Sequence, residues 1–198
     1  MHLIDTVITR VSLFMSRVGG VLLLLAALLV SIEILGRKFW ALPFSVGTEL
    51  STYALAVGAS WSFAQALLQR AHVRIDVLRN LLPPLARTWL DILALVSLAA
   101  FALLLSWHVW ETVATSWSLG AKENTPLATP LVIPQVLWFW GMAWFAAVAL
   151  VETVRACAAL ARGDMNALNR IAAPLGVEDE IDEALSEAGR AARYEGLG

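Results

Sequence analysis

Glu33 and Glu49 are the residues with the most chemical potential in this sequence, because each interrupts or borders a long apolar run. A carboxylate in such a setting marks an ion or proton path, or else a helix-end contact. Glu33 can pair with Arg37 four residues on. Glu49 falls where a helix begins, and the positive end of the macrodipole favours a carboxylate there. Asp91 and Glu152 border the opposite ends of two other apolar runs, and Glu152 can pair with Arg155. His72 and His108 raise the question of haem, which needs two imidazoles at one depth on facing helices. These two lie in segments a membrane thickness apart, so no cofactor is expected. His108 instead belongs with Trp107 and Glu111 in an interfacial cluster. No carboxylate–histidine pair has metal-ligand spacing deep in a helix, and no buried serine has a candidate base. A single cysteine, Cys157, excludes an internal disulfide and a Cys-based zinc site. The chain is therefore not read as an enzyme.

The elements that carry these residues are apolar helices. Of 198 residues, 59% are hydrophobic and only 15% charged, and the mean hydropathy is +0.71. Soluble domains run near 45–50% and about 25%. The excess lies in four blocks, each long enough to cross a hydrocarbon core of about 30 Å. The predicted spans are about 13–35, 47–68, 85–110 and 130–160, within a transmembrane domain of residues 1–162. The fourth is predicted to start near Thr129–Pro134, with Thr129 as its N-cap and Pro130 at its first helical position. The first block is read as an uncleaved signal anchor, since Ser31-Ile32-Glu33-Ile34 is a poor cleavage site.

Orientation follows from the basic residues near the spans. Arg10, Arg17, Arg70, Arg74, Arg79, Arg87, Arg155, Arg162 and Arg170 lie on one side, and Arg37, Lys38 and Lys122 on the other. This bias predicts both termini in the cytoplasm. Residues 163–198 form a short acidic cytoplasmic tail, in which Ile181, Leu185, Ala188 and Ala192 permit an amphipathic helix. Its composition favours a solvated tail over that helix. The net charge of −2 offers no basic footprint for nucleic acid. Membrane lipids are an expected partner.

The second block is built for contact. Ala54, Gly58, Ser62 and Ala66 place a small residue at every fourth position, which lets another helix approach closely. That helix could belong to this chain or to a partner. Tyr53, Trp61 and Gln65 lie on an adjoining face, and Gln65 needs a hydrogen-bond partner. After this block, His72, Arg74 and Asp76 alternate with Val73, Ile75 and Val77, a pattern suited either to docking or to a positive-inside anchor.

The run Gly47-Thr48-Glu49-Leu50-Ser51-Thr52-Tyr53, then Gly58-Ala59, then His72-Val73-Arg74-Ile75-Asp76, resembles the DctQ-like small permease subunit of TRAP (tripartite ATP-independent periplasmic) transporters. The resemblance continues through Thr129-Pro130-Leu131, Pro134 and Gly141, and covers about residues 10 to 160. It implies an all-α protein with four transmembrane helices in a bacterial inner membrane. It also implies a large multi-helix permease subunit that holds the substrate and sodium sites, and a periplasmic solute-binding protein that delivers the substrate. The small subunit would be a non-catalytic part of the scaffold in uptake of an organic acid. Glu49, Tyr53, Gly58, Ser62, His72, Arg74, Asp76, Pro130 and Pro134 are the structural or interface candidates. The alternative is a self-contained homo-oligomeric transporter or channel, with Glu33 and Glu49 lining a pore.

Overall fold

The computed structural model describes residues 2–40, 46–70, 83–125 and 127–172. They form five helices: α1 (His2–Trp40), α2 (Val46–Leu68), α3 (Pro84–Leu119), α4 (Val132–Ala161) and α5 (Met165–Ala172). Three of these are long and apolar enough to cross a membrane: α1, α3 and α4. The 23 residues of α2 rise about 34 Å, which also suffices in length. Its apolarity is diluted by the Gly, Ser, Thr, Gln and Trp residues that make its contacts.

Two helices exceed the spans predicted from hydropathy. α1 is 39 residues long and α3 is 36, about 58 and 54 Å of rise. The segment after Trp110, predicted as loop, continues α3 to Leu119. The charge at Glu111 ends the apolar run without ending the helix. Glu111 is paired on the helix surface: Trp107 Nε1 donates to its carboxylate at 3.0 Å, and His108 Nδ1 lies 3.0 Å from the other oxygen. Val113 and Ser116 are buried on the inner side of the extension. Gly120, at φ 56°, supplies the left-handed C-cap. Hydropathy marks what can sit in lipid, whereas helix ends follow backbone caps.

The helices neighbour one another in the order α1–α2–α4–α3, with α5 laid against α4 and α3. On α3, Leu95, Ala99, Ala102 and Val109 recur at three-, four- and seven-residue spacing, on one helix face. They are buried with Met142, Phe145, Ala146 and Ala149 of α4. Alanines on both sides bring these backbones close, which favours dispersion contact where lipid removes the hydrophobic driving force. Phe63 of α2 meets Phe145 of α4 with ring centroids 5.5 Å apart.

The tail begins differently from expectation. Asp164 accepts the Ala167 N–H at 2.9 Å through its side chain, an N-cap that starts α5 directly after the turn at Gly163. Leu168 is 1% exposed and anchors α5 to the bundle. The acidic stretch, read as a solvated tail with an amphipathic helix as the other reading, lies outside the described residues.

Candidate functional site

The residues singled out by the sequence converge at one end of the bundle, where α1 ends, α2 begins and the α3–α4 loop crosses. Glu33, in the last turns of α1, does two things. It pairs with Arg37, and it accepts the backbone N–H of Gly47. That amide is one of the unsatisfied donors at the start of α2, so α1 caps α2 through a carboxylate. A Cβ at position 47 would collide with the Glu33 carboxylate, which is why glycine suits this position.

Two residues further on, Glu49 is 6% exposed and surrounded by donors. Tyr53 Oη donates at 3.0 Å, Thr125 Oγ1 donates from the α3–α4 loop, and Thr129 donates as well. Glu49 thus lies in the first turn of its helix, where the macrodipole favours it, and carries hydroxyl partners from two elements.

The loop it holds is ordered by its own backbone. Glu123 N donates to Thr129 O at 3.0 Å, Leu131 N to Ala121 O at 3.1 Å, and Ala128 N to Thr125 O at 3.0 Å. Lys122 and Pro130 form an antiparallel bridge. This arrangement places the start of α4 inside the expected 129–134 window but corrects its cap. Thr129 is not its N-cap and Pro130 is not its first residue: the N-cap is Leu131 and the helix opens at Val132. The Thr129 carbonyl and the Leu131 amide are engaged in the ladder with residues 121–123, and the Thr129 side chain turns to Glu49. Pro134 lies in the first turn of α4, where a missing N–H costs nothing.

Gly58 and Ser62 lie where α2 crosses α1. A Cβ on Gly58 would stand 2.9 Å from both Gly19 O and Leu23 Cγ, and one on Gly19 would stand 2.7 Å from Gly58 O and 3.2 Å from Ser62 Oγ. Of the two readings the sequence left open, this part of the small-residue ridge serves internal packing. The opposite face of α2 meets α4. Trp61 Nε1 donates to Leu137 O at 2.9 Å, and a Cβ on Gly141 would come within 2.6 Å of the Trp61 ring. Gln65 Oε1 is buried without a hydrogen-bond partner among the described residues.

At the opposite end of the bundle, Arg155 of α4 bridges two acids. It meets Glu152 at 2.8 Å and also pairs with Asp5 of α1. Nearby, Trp144 Nε1 donates to Ser12 Oγ at 3.0 Å, and Ser12 is fully buried. Sequence reasoning found the local Glu152–Arg155 pair. It missed Asp5, Ser12 and Thr125, because no spacing rule reaches partners 76 to 150 residues away.

His72, Arg74 and Asp76 lie outside the described residues. Among the described residues there is no group of three His, Cys, Asp or Glu able to hold a metal ion. The hydrogen bonds of Glu33, Glu49, Trp61 and Trp144 go to helix capping, loop anchoring and interhelical contact.

Comparison with curated proteins and with solved structures returned no match. Residues 26–159, from mid-α1 to the end of α4, match the family described as tripartite ATP-independent periplasmic transporters, DctQ component. The match covers well over half of the chain, and the chain belongs to this DctQ family.

Proposed function

We propose that the chain is the small, non-catalytic membrane subunit of a TRAP-type secondary transporter in a bacterial inner membrane. It spans four times, with both termini cytoplasmic. Its partner is a large permease subunit that moves substrate with sodium, fed by a periplasmic solute-binding protein carrying an organic acid. The small subunit enlarges the part of the permease that stays still.

The family match across residues 26–159 carries this reading. The geometry supports it. A stationary scaffold needs its helices tied at both ends, and Glu33–Gly47, Glu49–Thr125 and Asp5–Arg155 are such ties. A pore or proton relay needs ionisable groups available to a moving ion, whereas Glu33 and Glu49 are committed to amide and hydroxyl donors.

The test is reconstitution. The tagged chain should co-purify with the large subunit, and vesicles holding both should take up substrate only with binding protein and a sodium gradient. Full uptake without this chain would refute the scaffold role.

A further inference from the structure

α1 stands at one edge of the helix row, and its two faces differ at the Arg155 end. Ile8, Ser12 and Gly19 turn inward and are buried. Half a turn away, Val7, Arg10, Phe14 and Arg17 follow one another at three- and four-residue spacing and form one outward stripe. All four are exposed, Val7 at 54% and Phe14 at 65%. Neither arginine side chain has a hydrogen bond or ion pair among the described residues.

Every described acid at this end is already engaged. Asp5 and Glu152 meet Arg155, Asp164 caps α5, and Asp91 also has a partner. Arg10 and Arg17 are therefore a local surplus of positive charge. The chain carries a matching surplus of the other sign. Six of its 16 acids stand within residues 178–187, a run without Lys or Arg, and Ile181 and Leu185 are set among them. A segment that mixes acids with aliphatics complements a stripe that alternates apolar and basic side chains.

That segment is within reach. The pairing of Asp5 with Arg155 puts the start of α1 beside the end of α4, and α5 follows α4 directly, ending at Ala172. The chain from Ala172 to Glu178 covers about 20 Å at full extension, and the run to Glu187 adds about 30 Å. Crossing to the outer face of α1 takes about two helix diameters, or about 20–24 Å. Lipid headgroups suit the stripe less well. Arg10 precedes Arg17 by about 10 Å along the axis, whereas the headgroup layer on each side of a bilayer is about 5–8 Å deep. Side chains also lean toward a helix's N-terminus, which here is away from the apolar run. With Arg17 at the edge of that run, Val7 and Arg10 stand in water. This step rests on the reading that α1 enters the bilayer, which alkaline extraction of membranes tests separately.

We propose that the acidic segment 178–187 docks on this stripe of its own chain and pairs with Arg10 and Arg17. The full-length chain, carrying Cys157→Ser, would be held at one copy per lipid nanodisc and treated with a short bis-maleimide cross-linker. Val7→Cys with Ala184→Cys should cross-link several-fold faster than Trp89→Cys with Ala184→Cys. Trp89 is 59% exposed and belongs to α3, against which α5 packs, so an undirected tail would favour it or show no preference. Molar salt, which shortens the screening length to about 3 Å, should remove the preference for Val7. Glu180→Gln, Asp182→Asn and Glu183→Gln together should do the same, and they spare the basic residues that set topology. Equal rates for the two pairs at low salt would overturn the proposal. So would a Val7 preference that survives both the salt and the neutralised acids. Loss of the preference on adding phosphatidylglycerol would assign the arginines to lipid. Its loss on adding the large subunit would assign the stripe to that partner, and cross-links formed only between two copies would assign it to a second chain. Each of these three results would also overturn the proposal.

Discussion

The Glu49 carboxylate and the Thr125 hydroxyl, 76 residues apart in the chain, are hydrogen-bonded to each other. This contact joins the first turn of α2 to the α3–α4 loop, and Tyr53 completes it from the next turn of α2 at 3.0 Å. It ties the loop to the helix, and it leads to the first expectation.

Glu49→Ala should release the loop without preventing membrane insertion. In a Cys157→Ser background, a cysteine at Ala121 should label several-fold faster when Glu49 is replaced. Tyr53→Phe removes one of several donors and should have a smaller effect. Unchanged labelling in Glu49→Ala would mean that the loop's own backbone ladder suffices to hold it.

Gly19 and Gly20 are adjacent, and the structure separates them sharply. A Cβ at Gly19 meets backbone at 2.7 Å, while one at Gly20 meets nothing within 4 Å. Gly19→Ala should push α1 from α2 and cost on the order of 1–3 kcal/mol by overpacking. Gly20→Ala should be neutral or stabilising by up to about 1 kcal/mol, the helix-propensity difference. Thermal unfolding in detergent would compare them, and equal melting temperatures would show that the α1–α2 crossing is not close.

Gly58→Leu probes the same crossing from α2. Added apolar bulk should leave insertion intact, while the lost close approach should lower the melting temperature and the yield of the complex with the large subunit. Normal values of both would remove Gly58 from the crossing.

Arg155 ties α4 to α1 through Asp5 while also holding Glu152. A double-mutant cycle of Asp5→Ala and Arg155→Ala should give a coupling energy of about 0.2–1 kcal/mol, since Asp5 is half exposed and solvent screens the pair. Additive effects on unfolding would show that the pair contributes nothing to holding α1.

The basic bias around the spans predicts both termini in the cytoplasm. A cysteine at Ala121 should react with a membrane-impermeant reagent added from the periplasmic side, again in a Cys157→Ser background. Labelling only from the cytoplasmic side would invert the arrangement.

Apolar block lengths by themselves determined that the protein is helical and membrane-embedded, because burying a helix in lipid requires about 20 apolar residues in sequence. Local pairs were equally legible: Glu33 with Arg37, Glu152 with Arg155, and His108 with Glu111 stand three or four residues apart on one helix face. The tertiary structure decided everything that depends on partners distant in the chain. It assigned Gly58 to a crossing with Gly19, gave Glu49 the hydroxyl of Thr125, and joined Arg155 to Asp5. It also moved the N-cap of α4 from Thr129 to Leu131, since the backbone there pairs with residues 121–123 before it can enter a helix. A short-range rule reads only what one helix turn brings together, and which helices become neighbours is decided by packing over the whole bundle.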